Sequence, residues 1–337
     1  MGRKRYMLII NPISGTGMVS DVERRVRRAL EGEEREVTVC RSEGPGDCAR
    51  LAREAVKEHY YAVIAAGGDG TVNEVAGALR GTPVILGIIP RGSGNGLARH
   101  LDLSIDIDNA LRIIALDNPQ ACDYGTANDQ PFFCTFGLGF DAAVSQAFAS
   151  MKHRGLKSYI RAVFGKYIKY EPKEYSITTG GRTIKVKAFL IAVCNASQYG
   201  NNAYIAPDAS LRDGLLDITI IHAGNPLTQA IVGVDMLTGY IKRNVLVQTM
   251  QVEKAVIRHE PGPAHIDGDP IMMPDTIQVK CHPGQLRLFV NPETPEFRPL
   301  LTPLKSFHFD FRFRFNSLMT RLFTRTRIQR RSAKAVS

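Results

Sequence analysis

Residues 62–74 of the chain read AVIAAGGDGTVNE, and this stretch decides the fold. An apolar run breaks into Gly-Gly-Asp-Gly-Thr and then resumes with helical spacing, which predicts a strand, a tight loop and a helix. Gly67, Gly68 and Gly70 let the backbone approach a ligand closely, and the first N–H groups of the helix point toward that ligand. The loop is therefore suited to an anionic group.

The loop also contains an acid, Asp69. A bare phosphate would repel its carboxylate, so the acid indicates either a bound Mg²⁺ or a hydroxyl group whose proton it accepts. The sequence therefore predicts a reaction centre at this loop, because a site that only binds phosphate has no use for the negative charge.

Strand and helix patterns alternate around this stretch up to about residue 122. Helices are predicted at residues 19–30, 48–58, 71–79 and 96–101, each after an apolar strand. Repeated βα units predict a doubly wound, mainly parallel sheet, and right-handed crossovers bring the carboxyl ends of its strands to one edge. Three glycine-rich turns should meet there, where such folds bind ligands: NPISGTG (11–17), GGDGT (67–71) and PRGSGN (90–95).

From residue 123 to about 295 the patterns are mostly those of strands, which predicts a largely antiparallel β domain. A basic, helical stretch at residues 151–170 interrupts it. The fold class is therefore α/β, with a nucleotide-binding domain (1–122), a β-rich substrate domain (123–295) and a tail (296–337). We expect the active site in the cleft between the two domains.

Composition predicts a cytoplasmic, globular protein. Of 337 residues, 44% are hydrophobic, yet no apolar run approaches the length of a membrane span or of a secretory leader. The six cysteines show neither a C-x-x-C pair nor metal-ligand spacing, as expected in a reducing compartment.

Most of the net charge of +10 lies in the tail, whose last 40 residues hold ten basic residues and one acid. Five phenylalanines alternate with polar residues from 307 to 315, and a basic amphipathic pattern follows from 316. This combination predicts attachment to an anionic membrane surface. The alternative is a strand and helix packed on the protein, and nucleic-acid binding is disfavoured because no recognised module is present.

Two common nucleotide-binding signatures do not account for this chain. The chain has no G-x-x-x-x-G-K-[ST] sequence, which argues against a Walker-type ATPase. The string GLGFDA (137–142) fits G-x-G-x-x-A, but the acid expected about 20 residues later is absent, so we interpret the match as accidental.

Taken together, the motifs resemble the diacylglycerol kinase and sphingosine kinase family of lipid kinases, including its soluble bacterial members. GGDGT alone would also fit NAD kinases, whereas GGDGTVNE with GSGN and a late Asp-Gly motif is specific to the lipid kinases. The resemblance runs in order from about residue 6 to residue 292 and is carried by NPISG (11–15), GGDGTVNE (67–74), PRGSGNGLARHL (90–101), DYG (123–125), GLGFDA (137–142), RDGLLDI (212–218) and HIDGDP (265–270).

The resemblance implies that ATP, with Mg²⁺, binds across the three loops. The positions that match the family's nucleotide site are Asn11, Pro12, Ser14, Gly15, Ser42, Gly67, Gly68, Gly70, Thr71, Asn73, Glu74, Ser93 and Asn95.

Two residues are candidates for the general base. Asp69 resembles the acid given this role in sphingosine kinases, whereas bacterial diacylglycerol kinases use the glutamate of a late DGE motif, which here is Asp269. The side chain of Asp269 is one CH₂ shorter than that glutamate, so it would need a water molecule or a metal ion to reach the acceptor hydroxyl. Gly96 stands where diacylglycerol kinases have an acid, and SGNG is closer to the sphingosine kinase pattern.

The resemblance implies further contacts outside the loops. Asp123 and Asp141 match acceptor-binding positions, although Asp141 would equally cap the helix that follows it. Asp213, with the carbonyl groups of Ser210 and Leu215, matches a structural Mg²⁺ site, although Asp-Gly is also an ordinary turn. Positive charge around the transferred phosphoryl group would come from Arg154, Lys157 and Arg161, whose alternative is a solvated helix face.

The sequence thus predicts a peripheral-membrane lipid kinase. Diacylglycerol and a sphingoid base both remain candidate acceptors, and the oligomeric state is open. The alternatives are a soluble kinase of the NAD kinase type and a non-catalytic protein that binds lipid or phosphate.

Overall fold

The computed structural model describes residues 2–15, 19–92, 94–103, 106–149 and 170–292. Strands and helices alternate in its first part, as the sequence predicts. They are β1 (Lys4–Ile10), α1 (Val19–Leu30), β2 (Arg35–Arg41), α2 (Asp47–Lys57), β3 (Ala62–Gly67), α3 (Asp69–Leu79), β4 (Ile85–Pro90), α4 (Gly96–His100) and α5 (Ile107–Ala115).

These four strands form a parallel sheet in the order β4-β3-β1-β2. The carboxyl ends of β1, β3 and β4 therefore meet at one edge, and the three glycine-rich loops follow them. Hydrogen bonds continue past the strand ends: the Asn11 N–H donates to the Ala66 carbonyl (3.1 Å), and the Arg91 N–H donates to the Gly67 carbonyl (2.7 Å). The predicted meeting of the loops is confirmed.

Both faces of this sheet are covered, which explains why its central strands read as continuous apolar runs. Alternate residues of β3 face opposite cores: Val63 and Ala65 pack with α2 and α3, whereas Ala62 and Ile64 pack with α1 and α5. All six residues of β3 are buried.

The second part is mostly antiparallel, as predicted. The sequence patterns did not predict α5, the helix Pro226–Thr238, or the strands Pro119–Ala127, Val247–Val252, Gly262–Ile266 and Asp269–Met273. The elements are β5 (Pro119–Ala127), β6 (Gln130–Phe132), β7 (Thr135–Gly139), α6 (Phe140–Ala149), β8 (Lys173–Thr179), β9 (Arg182–Cys194), β10 (Leu216–His222), α7 (Pro226–Thr238), a 3-10 turn (Ile241–Arg243), β11 (Val247–Val252), β12 (Lys254–Arg258), β13 (Gly262–Ile266), β14 (Asp269–Met273) and β15 (Thr276–Phe289).

The long strand β15 joins the two parts. In the sequence, TIQVKCH (276–282) and QLRLF (285–289) are separated by Pro-Gly, yet both belong to this one strand. The pairing of β15 with β5 shifts in register between His282 and Leu286. Its first half pairs with β12, and its end lies parallel to β4, where Leu288 is opposite Leu86. The domain boundaries at 122 and 295 stay predictions. No helix in the described part of the chain is long and apolar enough to cross a bilayer.

Candidate active site

The first loop is held to the helix α3 by Asn11. Its side-chain amide donates to the Thr71 hydroxyl (3.1 Å), and its side-chain oxygen accepts the Ile13 N–H (3.1 Å). Gly15 has a φ of +78°, and a Cβ there would lie 2.8 Å from the Arg91 carbonyl oxygen. The first loop therefore needs glycine where it touches the third.

The second and third loops are in backbone contact. A Cβ on Gly92 would lie 2.6 Å from the Gly68 Cα, and a Cβ on Gly67 would lie 2.3 Å from the Thr71 hydroxyl oxygen. Helix α3 starts at Asp69, and the preceding Gly68 has no side chain to cap it. Its first N–H groups are directed at the edge where the loops meet, an arrangement that binds anions.

Asp69 links the start of α3 to the start of α4. One carboxylate oxygen accepts the Asn95 N–H (2.8 Å), and the other accepts the Gly96 N–H (2.7 Å). Asn95 has a φ of +54°, and its side chain bonds both the N–H and the carbonyl of Gly92. Asp69 and Asn95 therefore stabilise the conformation of the third loop.

Other predicted nucleotide residues lie beside the same edge. Glu74 caps α2, because its carboxylate accepts the N–H groups of Gly46 (2.9 Å) and Ala49 (3.3 Å). Ser42 is buried directly after β2, and its N–H donates to the Ile10 carbonyl (3.0 Å). In the first and second loops Pro12 and Gly70 are exposed and Ser14 is half-buried. Asn73, in α3, is also half-buried. Ser93 lies outside the described residues.

A second polar cluster forms in the antiparallel part around Asp141, at the start of α6. The Tyr199 hydroxyl donates to its carboxylate (2.8 Å), and the His265 Nε2 lies 3.2 Å from the same oxygen. His265 is 2% exposed, and its Nδ1 accepts the Gly268 N–H (3.3 Å), which assigns the ring proton to Nε2. A Cβ on Gly137 would fall 2.2 Å from Nε2, so glycine makes room for the pair.

The segment 197–202 connects this cluster to the third loop. A Cβ on Gly200 would lie 3.0 Å from the Gly94 carbonyl oxygen, and one on Gly96 would lie 3.5 Å from the Tyr199 carbonyl oxygen. The Arg99 guanidinium also donates to the Asn202 side chain (3.3 Å). The backbone of this segment therefore lies against the third loop at Gly200 and against the start of α4 at Tyr199. The Tyr199 hydroxyl bonds Asp141, so the segment brings the two halves of the predicted site together.

The turn between β13 and β14 carries the other candidate base. Asp267 and Gly268 have φ values of +50° and +90°, as a two-residue type I′ turn requires. The Asp267 carboxylate accepts the N–H groups of residues 133, 134 and 135 at 2.8 to 2.9 Å. Burial raises the pKa of Asp267 to about 6, against the effect of these donors. Asp269 comes directly after the turn and is exposed.

Two known domain families match the sequence of this chain. Residues 5–127 match the diacylglycerol kinase catalytic domain, and residues 135–290 match the YegS C-terminal NAD kinase beta sandwich-like domain. The chain belongs to the diacylglycerol kinase family of lipid kinases. This confirms the resemblance found in its motifs.

Relatives and solved structures agree. A probable lipid kinase YegS-like protein of Chromohalobacter salexigens is 32% identical over 250 residues, which are 72% of this chain and 80% of that protein. A protein of the same description from Pseudomonas putida is 27% identical over 76% of this chain and 85% of its own length. The crystal structure of a putative diacylglycerol kinase from Bacillus anthracis has the same fold, with a TM-score of 0.69 at 21% identity over 87% of this chain and 97% of that one.

Asp123, a predicted acceptor contact, is 3% exposed. Its two carboxylate oxygens accept the N–H groups of Gly214 and Gly284, each at 2.7 Å. It therefore ties the loop after residue 210 to the irregular part of β15. A contact with the acceptor stays a prediction for this residue.

The predicted Mg²⁺ loop offers one exposed carboxylate, Asp213, whose Oδ1 accepts the Leu215 N–H (3.0 Å). The Ser210 hydroxyl oxygen accepts the Arg212 N–H (3.1 Å). Within the described residues no group of three or more His, Cys, Asp or Glu side chains could hold a metal ion. One carboxylate with two carbonyl groups fits Mg²⁺ when water supplies the remaining ligands.

Some predicted residues lie outside the described part of the chain, namely Arg154, Lys157, Arg161 and the tail. Conversely, sequence reasoning assigned no role to Tyr199, His265 or Asp267. The last two are in the quoted motif HIDGDP, and the Asp-Gly pair between strand patterns signals a hairpin turn. No local pattern indicates Tyr199, because its partner Asp141 is 58 residues away.

Proposed function

We propose that the protein transfers the γ-phosphoryl group of ATP to a hydroxyl group of a membrane lipid. The observation that carries this proposal is the contact, through segment 197–202, between the three-loop edge and the Asp141 cluster. A phosphate donor and a hydroxyl acceptor bound to these two sets of residues would be neighbours. Family membership implies ATP as the donor and a lipid as the acceptor.

The donor half would work mainly through positioning. The N–H groups at the start of α3 and the backbone of the glycine loops would hold the phosphates, as the uncapped helix start supports. Asn11 and Thr71 keep the first two loops in register through their hydrogen bond. Mg²⁺ bound with ATP would supply neutralising charge to the transferred group. Asp213, with the carbonyl groups of Ser210 and Leu215, would hold a separate structural ion.

In the acceptor half, Asp141 would bind the polar head of the lipid, with Tyr199 and His265 fixing its carboxylate. The hydrogen bonds of Asp69 support a positioning role for that residue. Asp269, exposed beside the Asp267-Gly268 turn, is then our candidate for the base that accepts the hydroxyl proton.

The test measures transfer of labelled phosphate from Mg²⁺-ATP to diacylglycerol, a sphingoid base or ceramide in mixed micelles. We expect one lipid to be labelled, and we expect Asp269→Asn to lower kcat by about 10²- to 10⁴-fold, the usual contribution of a general base. The KM for ATP and the melting temperature should not change. Asp129→Asn, an exposed acid between β5 and β6, is the matched control.

Other outcomes would redirect the proposal. Phosphorylation of NAD with no labelled lipid would favour the soluble NAD kinase alternative, and no labelling at all would favour a binding protein. Asp69→Asn is a weaker probe, because its amide NH₂ would face an N–H group of Asn95 or Gly96 and distort the loop.

A further inference from the structure

The outer face of α7 is apolar and exposed. Among the described residues, six of the nine large apolar side chains that are exposed lie between residues 227 and 245. Four are on α7 and two follow it: Leu227, Ile231, Val234, Leu237, Tyr240 and Val245. A concentration of this kind marks a surface that contacts a partner.

Helical spacing explains how this surface arises. Leu227, Ile231 and Val234 are four and three residues apart, so they form one stripe along the helix. On the opposite side, Val232 is buried in the core beside Gln229, whose side-chain amide donates to the His222 carbonyl (2.8 Å). The one charged residue of α7, Asp235, accepts a hydrogen bond from the Asn244 side chain (2.7 Å). Four of the six large apolar side chains of α7 are therefore exposed, whereas a surface helix normally turns such side chains toward the core.

This helix lies over the core that supports the acceptor cluster. Val232 and Met236 pack in the same apolar cluster as Phe140, the residue before Asp141, and Tyr199 lies against that cluster. The Met236 carbonyl also accepts the Tyr204 N–H (2.9 Å). The inner side of α7 therefore belongs to the apolar core on which the Asp141 cluster rests.

The end of α7 has the residues typical of a bilayer boundary. The Arg243 guanidinium lies over the Tyr240 ring, 5.1 Å from its centre, whereas the preceding Lys242 is paired with Asp208. Tyrosine and long basic side chains place an apolar body in lipid and a polar end in water or near anionic head groups. The 13 residues of α7 are too few to span a bilayer, but a helix of this length can lie in the interface.

We propose that the outer face of α7 docks on the lipid bilayer and places the Asp141 cluster near the lipid head groups. The choice of partner rests on the proposed function, since a lipid acceptor has to reach Asp141 from a membrane. The exposed Arg243 after the helix and the absence of charge from the outer stripe favour an anionic lipid surface over a polar protein surface.

The chain contains no tryptophan, so Ile231→Trp introduces a unique fluorescent reporter on this face. The full chain would be mixed with phosphatidylglycerol and phosphatidylcholine vesicles whose acyl chains are brominated, without ATP or any acceptor lipid. We expect the emission to shift to shorter wavelength and to be quenched by bromine. Leu116→Trp, at an exposed apolar position after α5, should show neither change.

A second measurement uses sedimentation with the same vesicles. The double variant Ile231→Ser with Val234→Ser should partition to vesicles at least about tenfold less than the parent, because two apolar side chains no longer enter the lipid. The variant Leu116→Ser, at an exposed apolar position after α5, should partition as the parent does.

Several results would overturn the proposal. One is sedimentation without quenching of the Ile231→Trp reporter, which would place membrane contact elsewhere, for example on the tail. Another is a short-wavelength emission before vesicles are added: if it depends on protein concentration a second copy covers the face, and if not the chain covers its own helix. Quenching without lipid kinase activity would leave the docking surface standing and reject the proposed function.

Discussion

Gly67 leaves no room for a side chain. A Cβ there would lie 2.3 Å from the Thr71 hydroxyl oxygen, and Thr71 is buried and bonded to Asn11. We therefore expect Gly67→Ala to lower the free energy of unfolding by about 1–3 kcal/mol and to weaken ATP binding, because both loops must shift.

Gly70→Ala is the control for this prediction. No atom lies within 4 Å of a Cβ at Gly70, and the residue is helical. The variant should unfold at the same or a slightly higher temperature, with a gain of up to about 1 kcal/mol. Equal destabilisation of the two variants, measured by thermal melting, would contradict the packing argument.

Asp217 makes the stability depend on pH. Burial within β10 raises the pKa of its carboxyl group to about 6, so the folded state holds this proton more tightly than the unfolded state. The contribution of Asp217 to stability is therefore complete below about pH 4 and is lost as the pH rises through 6. At pH 7 the ionised, buried group destabilises the fold by about 2–3 kcal/mol.

We expect Asp217→Asn to raise the melting temperature at pH 7, and we expect this gain to shrink as the pH falls to 4. Asp129→Asn changes the net charge equally at an exposed position, and its effect should stay constant over the same range. A gain from Asp217→Asn that does not depend on pH would show that ionisation is not its cause.

At the scale of elements, α2 depends on a residue of α3. Glu74 accepts the N–H groups of Gly46 and Ala49, which have no partner within their own helix. Glu74→Gln loses the charge and turns an amide NH₂ toward one of these two N–H groups, so we expect a loss of about 1–2 kcal/mol in the free energy of unfolding.

The same variant tests the predicted nucleotide contact of Glu74. If the residue acts only as a cap, the affinity for ATP, measured by calorimetry, should stay within about twofold of the parent, since each tenfold change would need 1.4 kcal/mol. Glu54→Gln, on the exposed side of α2, controls for the charge. Weaker ATP binding at unchanged stability would instead support Glu74 as a ligand of the nucleotide.

At the scale of the molecule, β15 pairs with strands of both halves, namely β4 in the first and β5 and β12 in the second. Leu286 and Leu288, from the end of the chain's β-rich part, are buried in the core that α2 and α3 cover. We expect Leu288→Ala to lower the free energy of unfolding by about 2–5 kcal/mol, as large cavities in a core do.

Both halves of the site should lose their structure together in this variant, which hydrogen exchange of residues 62–90 and 188–222 would show as a common rise in exchange rate. Leu116→Ala removes an exposed leucine and should leave exchange unchanged. Faster exchange in the first range alone would mean that the halves unfold independently.

The sequence by itself determined the alternation of strands and helices, the edge where the three glycine loops meet, and the family. These features depend on local periodicity, glycine positions and crossover handedness, which a short stretch of chain contains in full. The predicted helix over residues 19–30 coincides with α1, for instance.

Only the tertiary structure decided which polar groups meet. His265 contacts Asp141, which is 124 residues away in the sequence. The hydrogen bond between Asp267 and the Phe133 N–H joins residues 134 positions apart, and the one between Asp123 and the Gly284 N–H joins residues 161 positions apart. The pairing of strands that are distant in the sequence determines these partners. It produces no local periodic pattern from which the partners could be predicted. The sequence also does not show that the outer face of α7 is exposed. The spacing of apolar residues along a helix does not tell which of its sides the core covers.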